Sequence, residues 1–118
     1  MIRLLLIEDN PADAGLVDIY LREAFAANYS LTHVARLAEG LKKIEDNKFD
    51  IIICDISLPD SNGLETFINV SAVSSYVPVI ILTGNIDESL GLSAVKKGAA
   101  DFLNKNQLDS AVLKRSIN

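Results

Sequence analysis

The sequence predicts an α/β fold: five parallel strands in one open sheet, with helices on both faces. Three observations lead there. Short, nearly continuous apolar runs recur along the chain: IRLLLI at 2–7, IIIC at 51–54 and VIIL at 79–82. In segments this short, such runs mark strands covered on both faces. Longer stretches with apolar residues at helical spacing lie between them, and the two kinds of segment alternate. Right-handed crossovers turn that alternation into a parallel sheet.

Each element has its own signal. After the first strand, Asn10 caps a helix with Pro11 at its first position, where the missing N–H does no harm. Ala14, Val17, Leu21 and Ala24 then share one face. A weaker strand, YSLTHV, fits at 29–34, and the second helix carries Leu37, Leu41 and Ile44. The third helix opens near Gly63 and carries Leu64, Phe67 and Ile68. The fourth starts at Asp87 as N-cap and stops at KKG, with cations in its last turn and Gly98 at the end. A short strand, DFLN at 101–104, precedes a fifth helix from about Asp109 with Val112, Leu113 and Ile117.

The 118 residues, 49% of them hydrophobic, suit one domain that buries about two-thirds of its unfolded surface. The net charge of -5 argues against nucleic acid or an anionic membrane as a direct partner. One cysteine, Cys54, leaves no internal disulfide framework and fits a reducing compartment. No stretch approaches the roughly 18 apolar residues of a membrane span, and MIRLLLIED lacks a cleavage site. The expectation is a soluble cytoplasmic domain.

Five strands allow the doubly wound, flavodoxin-like order 2-1-3-4-5, a known arrangement that the sequence itself does not derive. In that order the first and third strands are neighbours, and ligands bind outside their carboxyl ends. The first strand ends in Glu8 and Asp9, the third in Asp55. Neighbouring strands lie roughly 4.8 Å apart, so three carboxylates would converge. Two like charges at about 4 Å repel by roughly 4 kcal/mol at an effective dielectric of about 20, so protonation or a cation must relieve the cluster. Magnesium, or manganese in its place, suits such oxygen ligands. Thr83 ends the fourth strand just before Gly84, and Lys105 follows the fifth. A metal, a hydroxyl and an ammonium facing one carboxylate make a phosphoryl site with Asp55 as nucleophile.

Those residues, with LPDSNGLE after Asp55, carry a resemblance along essentially the whole chain to response regulator receiver domains. The resemblance implies that Glu8, Asp9 and Asp55 hold magnesium, helped by the backbone carbonyl of Ser57. It implies that Asp55 takes a phosphoryl group from the phosphohistidine of a sensor kinase or a phosphotransfer protein. Thr83 and Lys105 would bind the phosphoryl oxygens. Phe102, three positions before the lysine, would report the phosphorylated state and switch the face made by helix 4, strand 5 and helix 5 toward an output domain or protein. Ser57 and Asn85 occupy positions that tune autodephosphorylation in the family.

Two features depart from the pattern. Asn106 follows Lys105 where the family usually has a proline joined by a cis peptide, and a cis bond before a non-proline costs about 2.5–4 kcal/mol. The last helix is short for the family, which points to a longer parent chain. The missing proline supports an alternative, a degenerate receiver kept as a binding module. A phosphatase of the haloacid dehalogenase type would need a second aspartate where Ser57 stands. Cys54 alternates away from Asp55 and reads as packing; His33 has no partner of metal-ligand type. Asp13, Asp50, Asp60 and Asp101 read as turn or surface groups.

Overall fold

Each apolar run becomes a strand of one sheet. The computed structural model describes residues 1–118 apart from Ser75, Asn85 and Ile86. Along the chain come β1 (Ile2–Ile7), α1 (Pro11–Phe25), β2 (Tyr29–Val34), α2 (Leu37–Asp46) and β3 (Ile51–Asp55). A small pair, β4 (Ser57–Leu58) and β5 (Ser61–Asn62), precedes α3 (Leu64–Val73). The chain continues through β6 (Val79–Thr83), α4 (Glu88–Lys96), β7 (Asp101–Asn104) and α5 (Ser110–Ile117). The five long strands pair in parallel in the order β2-β1-β3-β6-β7, which is the expected 2-1-3-4-5.

Alternation along the strands splits the core in two. Leu4 and Leu6, Ile51 and Ile53, and Ile80 and Leu82 pack against Ala14, Val17 and Leu21 of α1 and Leu113 of α5. Leu5 and Ile7, Ile52 and Cys54, and Ile81 face the other way, against Leu37, Phe67, Val70 and Ala94 of α2, α3 and α4. Burial on both faces explains why the central strands read as unbroken apolar runs.

The helix ends follow local chemistry. Asn10 Oδ1 accepts hydrogen bonds from the Ala12 and Asp13 amides at 2.9 and 3.3 Å, and Asp109 Oδ1 accepts from Val112 at 2.8 Å. Beyond α4 the chain turns at Gly98, whose φ of 118° suits a residue without a Cβ. Asp87 stands at the start of α4 as expected, but its side chain makes no capping bond.

One sequence reading needs correction and another gains a partner. Ile68 is exposed, because the buried face of α3 is Thr66, Phe67 and Val70. One residue beyond Phe67 lies about 100° further round the helix. The segment after Asp55 forms a small hairpin, in which Ser57–Leu58 and Ser61–Asn62 pair as a two-residue antiparallel ladder. Asp60, at the tip of that hairpin, is more than a turn residue. Its two carboxylate oxygens accept from the Leu37 and Ala38 amides at 2.9 and 3.0 Å. It therefore caps α2, whose own N-cap position, Arg36, supplies no side-chain bond.

The α2 amide bonds hold the Asp60 carboxyl below its ordinary value. Its contribution to stability is therefore present above the ordinary carboxylate range and lost as the pH falls through the depressed folded value. Asp60→Ala should cost about 1 kcal/mol of stability at neutral pH in urea denaturation, and the difference should shrink in acid. An unchanged midpoint at neutral pH would show that α2 needs no cap from the hairpin.

Candidate functional site

The strand order brings the ends of β1 and β3 together, as expected of the flavodoxin-like arrangement. Glu8 is fully buried, Asp55 nearly so, and Asp9 is exposed. One carboxylate oxygen from each of the three lies within 4.8 Å of the others. Asp55 Oδ1 accepts from the Ser57 amide at 3.0 Å, so the start of the hairpin orients the carboxylate.

Lys105 reaches into this cluster from beyond β7. Its Nζ lies 2.7 Å from Asp55 Oδ2, 2.8 and 3.0 Å from the two oxygens of Glu8, and 3.1 Å from Asp13 Oδ2. An ammonium has three donors, and here three carboxylates surround it. Burial alone would lower the lysine's pKa, but the hydrogen bonds it donates to Asp55 and Glu8 outweigh it and hold the ammonium above its usual range. For Glu8 the balance goes the other way. Burial raises its carboxyl, the Lys105 hydrogen bond pulls it back, and the Asp55 charge adds to the rise, leaving it at about 7. The electrostatic crowding read from the strand ends is thus relieved partly by Lys105 and partly by a carboxyl that readily keeps its proton.

Asp13 is the residue that sequence reading missed. It is half-buried in the first turn of α1 and pairs with Lys105. Its spacing of four from Asp9 was the available signal, but acidic residues in a first helical turn are common without any ligand. His33 also has a contact: its Nε2 lies 2.7 Å from the Glu8 carbonyl oxygen. Asp50 pairs with Arg3, and Asp101 accepts from the Phe102 amide and the Ser116 hydroxyl. Cys54 is buried on the face opposite Asp55, in the packing role expected of it, and burial pushes its thiol pKa up.

On the α4 side of the sheet, Thr83 is fully buried, and its hydroxyl reaches the Leu103 carbonyl at 3.5 Å, the outer limit of a hydrogen bond. Phe102 is half-buried and packs with the α2–α4 face. Gly91 of α4 makes room for it: a Cβ there would meet the Phe102 ring at 2.5 Å. Asn85 lies outside the described residues. No cis peptide occurs among the described residues, so the Lys105–Asn106 bond is trans.

The comparisons agree with this geometry. The family model for the response regulator receiver domain matches residues 4–118, and the chain belongs to that family. The swarming motility regulation protein RssB of Serratia marcescens is 32% identical over 102 residues, 86% of this chain and 45% of that protein. The transcriptional regulatory protein ZraR of Escherichia coli is 27% identical over 104 residues, 88% of this chain and 23% of that protein. The chain thus spans less than half the length of either. Among solved structures, a receiver domain of a sensor histidine kinase from Pseudomonas aeruginosa has a TM-score of 0.81 and 30% identity, covering 98% of this chain and 93% of its own. It holds a magnesium ion in its active-site cleft. A receiver domain protein from Clostridium thermocellum has a TM-score of 0.87 over 100% of this chain and 92% of its own; at 24% identity it speaks to the fold. Receiver domains are signalling phosphoacceptors rather than conventional enzymes, and the family binds magnesium at an acidic site.

The residues here fit that ion. The donors are hard oxygens, and Glu8 Oε2 is buried without a hydrogen bond of adequate geometry, although the ammonium lies 2.8 Å away. With Glu8 as a ligand, binding would draw on its carboxylate form, and burial raises that carboxyl to about 7. Magnesium affinity, followed by calorimetry, should therefore fall about tenfold per pH unit below about 7 and level off above it. Glu8→Gln should weaken binding and remove this slope. A flat profile between about pH 6 and 8 in the unaltered protein would exclude Glu8 as a titrating ligand.

Proposed function

We propose that this chain is the phosphoacceptor domain of a two-component phosphorelay, and that Asp55 receives the phosphoryl group. The carrying observation is the bracketing of one buried carboxylate by an ammonium at 2.7 Å and a backbone amide at 3.0 Å. The donor is a phosphohistidine on a sensor kinase or a phosphotransfer protein. An Asp55 oxygen bonds to phosphorus as the N–P bond breaks, and the imidazole leaves with the electron pair and takes up a proton. Magnesium held by Glu8, Asp9, Asp55 and the Ser57 carbonyl would supply positive charge against the phosphoryl oxygens.

The chain's own groups account for the rest. Lys105 already points at Asp55, so its ammonium passes to a phosphoryl oxygen with little reorganisation. The Thr83 hydroxyl loses only a marginal contact when it turns toward the new anion. That movement frees space which Phe102 can fill, repacking the loop before α4 and altering the face of α4, β7 and α5. The acyl phosphate adds about one negative charge and three acceptor oxygens, enough to bias such a switch. Water then returns the domain to its resting state. Ser57 is small and exposed, so no bulky side chain there obstructs the approach of water.

We read residues 1–118 as one receiver unit acting in the cytoplasm, joined to or acting on an output domain or protein. Binding of neither nucleic acid nor membrane is assigned to this unit. No helix of the described residues is long and apolar enough to cross a membrane.

Asp55→Asn should abolish labelling by a small phosphodonor and the NMR changes caused by magnesium with beryllofluoride, with the fold intact. Thr83→Ala should still bind beryllofluoride but lose most of the response at Phe102. A wild-type shift pattern in Asp55→Asn would refute the phosphoacceptor assignment and favour a domain that only binds. Normal switching in Thr83→Ala would refute only the route through Thr83.

A further inference from the structure

We propose that Asn104 is a positioning residue that sets the Lys105 loop and ties it to the first residue of α4 through Glu88. For its signalling consequence the inference rests on the phosphoacceptor reading; for its geometry it stands alone.

The observation is a bridge made by one buried amide. Asn104 ends β7, and its Oδ1 accepts from the Asn106 amide at 2.8 Å. That bond caps the single 3-10 turn Lys105–Gln107, which carries the lysine. At the other end, Asn104 Nδ2 donates to Glu88 Oε2 at 3.1 Å. The polarity is forced. A backbone N–H needs the amide oxygen and a carboxylate needs the amide nitrogen, so neither contact survives reversal of the amide. The sequence makes this possible by placing Asn106, which has an N–H to give, directly after the lysine.

The place of Asn104 in the sheet gives the bridge its meaning. Successive strand side chains point to opposite faces, so Leu103 packs on the α1 and α5 side while Phe102 and Asn104 face α4. Lys105, one residue on, reaches back over the edge of the sheet to Glu8, Asp13 and Asp55. Asn104 is also the ladder partner of Thr83. A single side chain therefore neighbours both cationic and hydroxyl partners of the proposed phosphoryl group, and it holds the N-terminal residue of α4. An inward turn of Thr83 displaces its ladder partner, and Asn104 passes the displacement to Glu88. This is a polar route to α4, separate from the repacking of Phe102 over Gly91.

The test is a double-mutant cycle with charge held constant. Asn104→Asp keeps the acceptor for Asn106 but sets two carboxylates against each other, and Glu88→Gln alone removes the charge. Together they restore a donor–acceptor pair of reversed polarity with the wild-type net charge. The readouts are the exchange rate of the Asn106 amide, the Lys105 ammonium resonance, and beryllofluoride affinity at saturating magnesium.

Asn104→Asp alone should speed amide exchange, shift the ammonium resonance and weaken beryllofluoride binding by about three- to tenfold. The double variant should recover most of each effect, while magnesium affinity without beryllofluoride stays within about twofold throughout. Strictly additive effects, with no recovery in the double variant, would overturn the proposal. Glu88→Gln leaves the core untouched, so it must by itself shift the Lys105 ammonium resonance; if it does not, the tie to α4 is refuted. Should the wild-type protein fail to bind beryllofluoride, the phosphoacceptor reading falls. The amide and ammonium measurements, made without that ligand, still decide the bridge.

Discussion

The ion cluster around Lys105 is the constraint on which the site depends. Two buried carboxylates, Glu8 and Asp55, stand at the ends of adjacent strands, with Asp13 beside them. Left alone they would repel or take up protons. The ammonium satisfies one oxygen of each, and it comes from the turn after β7, two places from β3 and three from β1 in the sheet. Burial raises the Glu8 carboxyl despite the ammonium beside it.

The sheet separates the acidic cluster from the groups that face α4. Glu8 and Asp55 follow the alternation that packs Leu6 and Ile53 toward α1 and α5. Thr83, Phe102 and Asn104 follow the alternation that faces α4, where Gly91 leaves space for an aromatic ring. Lys105 and Thr83 sit where the two sides meet, at the carboxyl ends of the strands. The parallel ladder between β6 and β7 keeps these residues in fixed register.

Membership of the receiver family and the particular chemistry of this chain rest on different supports. The family match covers residues 4–118 and accounts for the fold and the acidic site. The structure adds a trans bond after Lys105, the Asn104 cap and a fourth carboxylate at Asp13. They show that the lysine loop can be fixed by a side-chain hydrogen bond, with no proline after the lysine. Lys105 lies 2.7 Å from Asp55 in this arrangement.

The sequence by itself determined the alternation of strands and helices, the strand limits at 2–7, 29–34 and 101–104, and the residues at the strand ends. Those features are local. Apolar runs, a cap such as Asn10 and a stop such as Gly98 act within a few residues, so they can be read without knowing what lies across the sheet. Only the tertiary structure decided which distant groups answer one another. Asp60 caps a helix 23 positions earlier in the chain, and Asp13 meets a lysine 92 positions later. Asn104 joins the lysine loop to a helix that precedes it by 16 positions. Such pairings depend on strand order and on which way a side chain turns at the edge of a sheet. A carboxylate in a first helical turn looks the same in sequence whether it meets water or an ammonium.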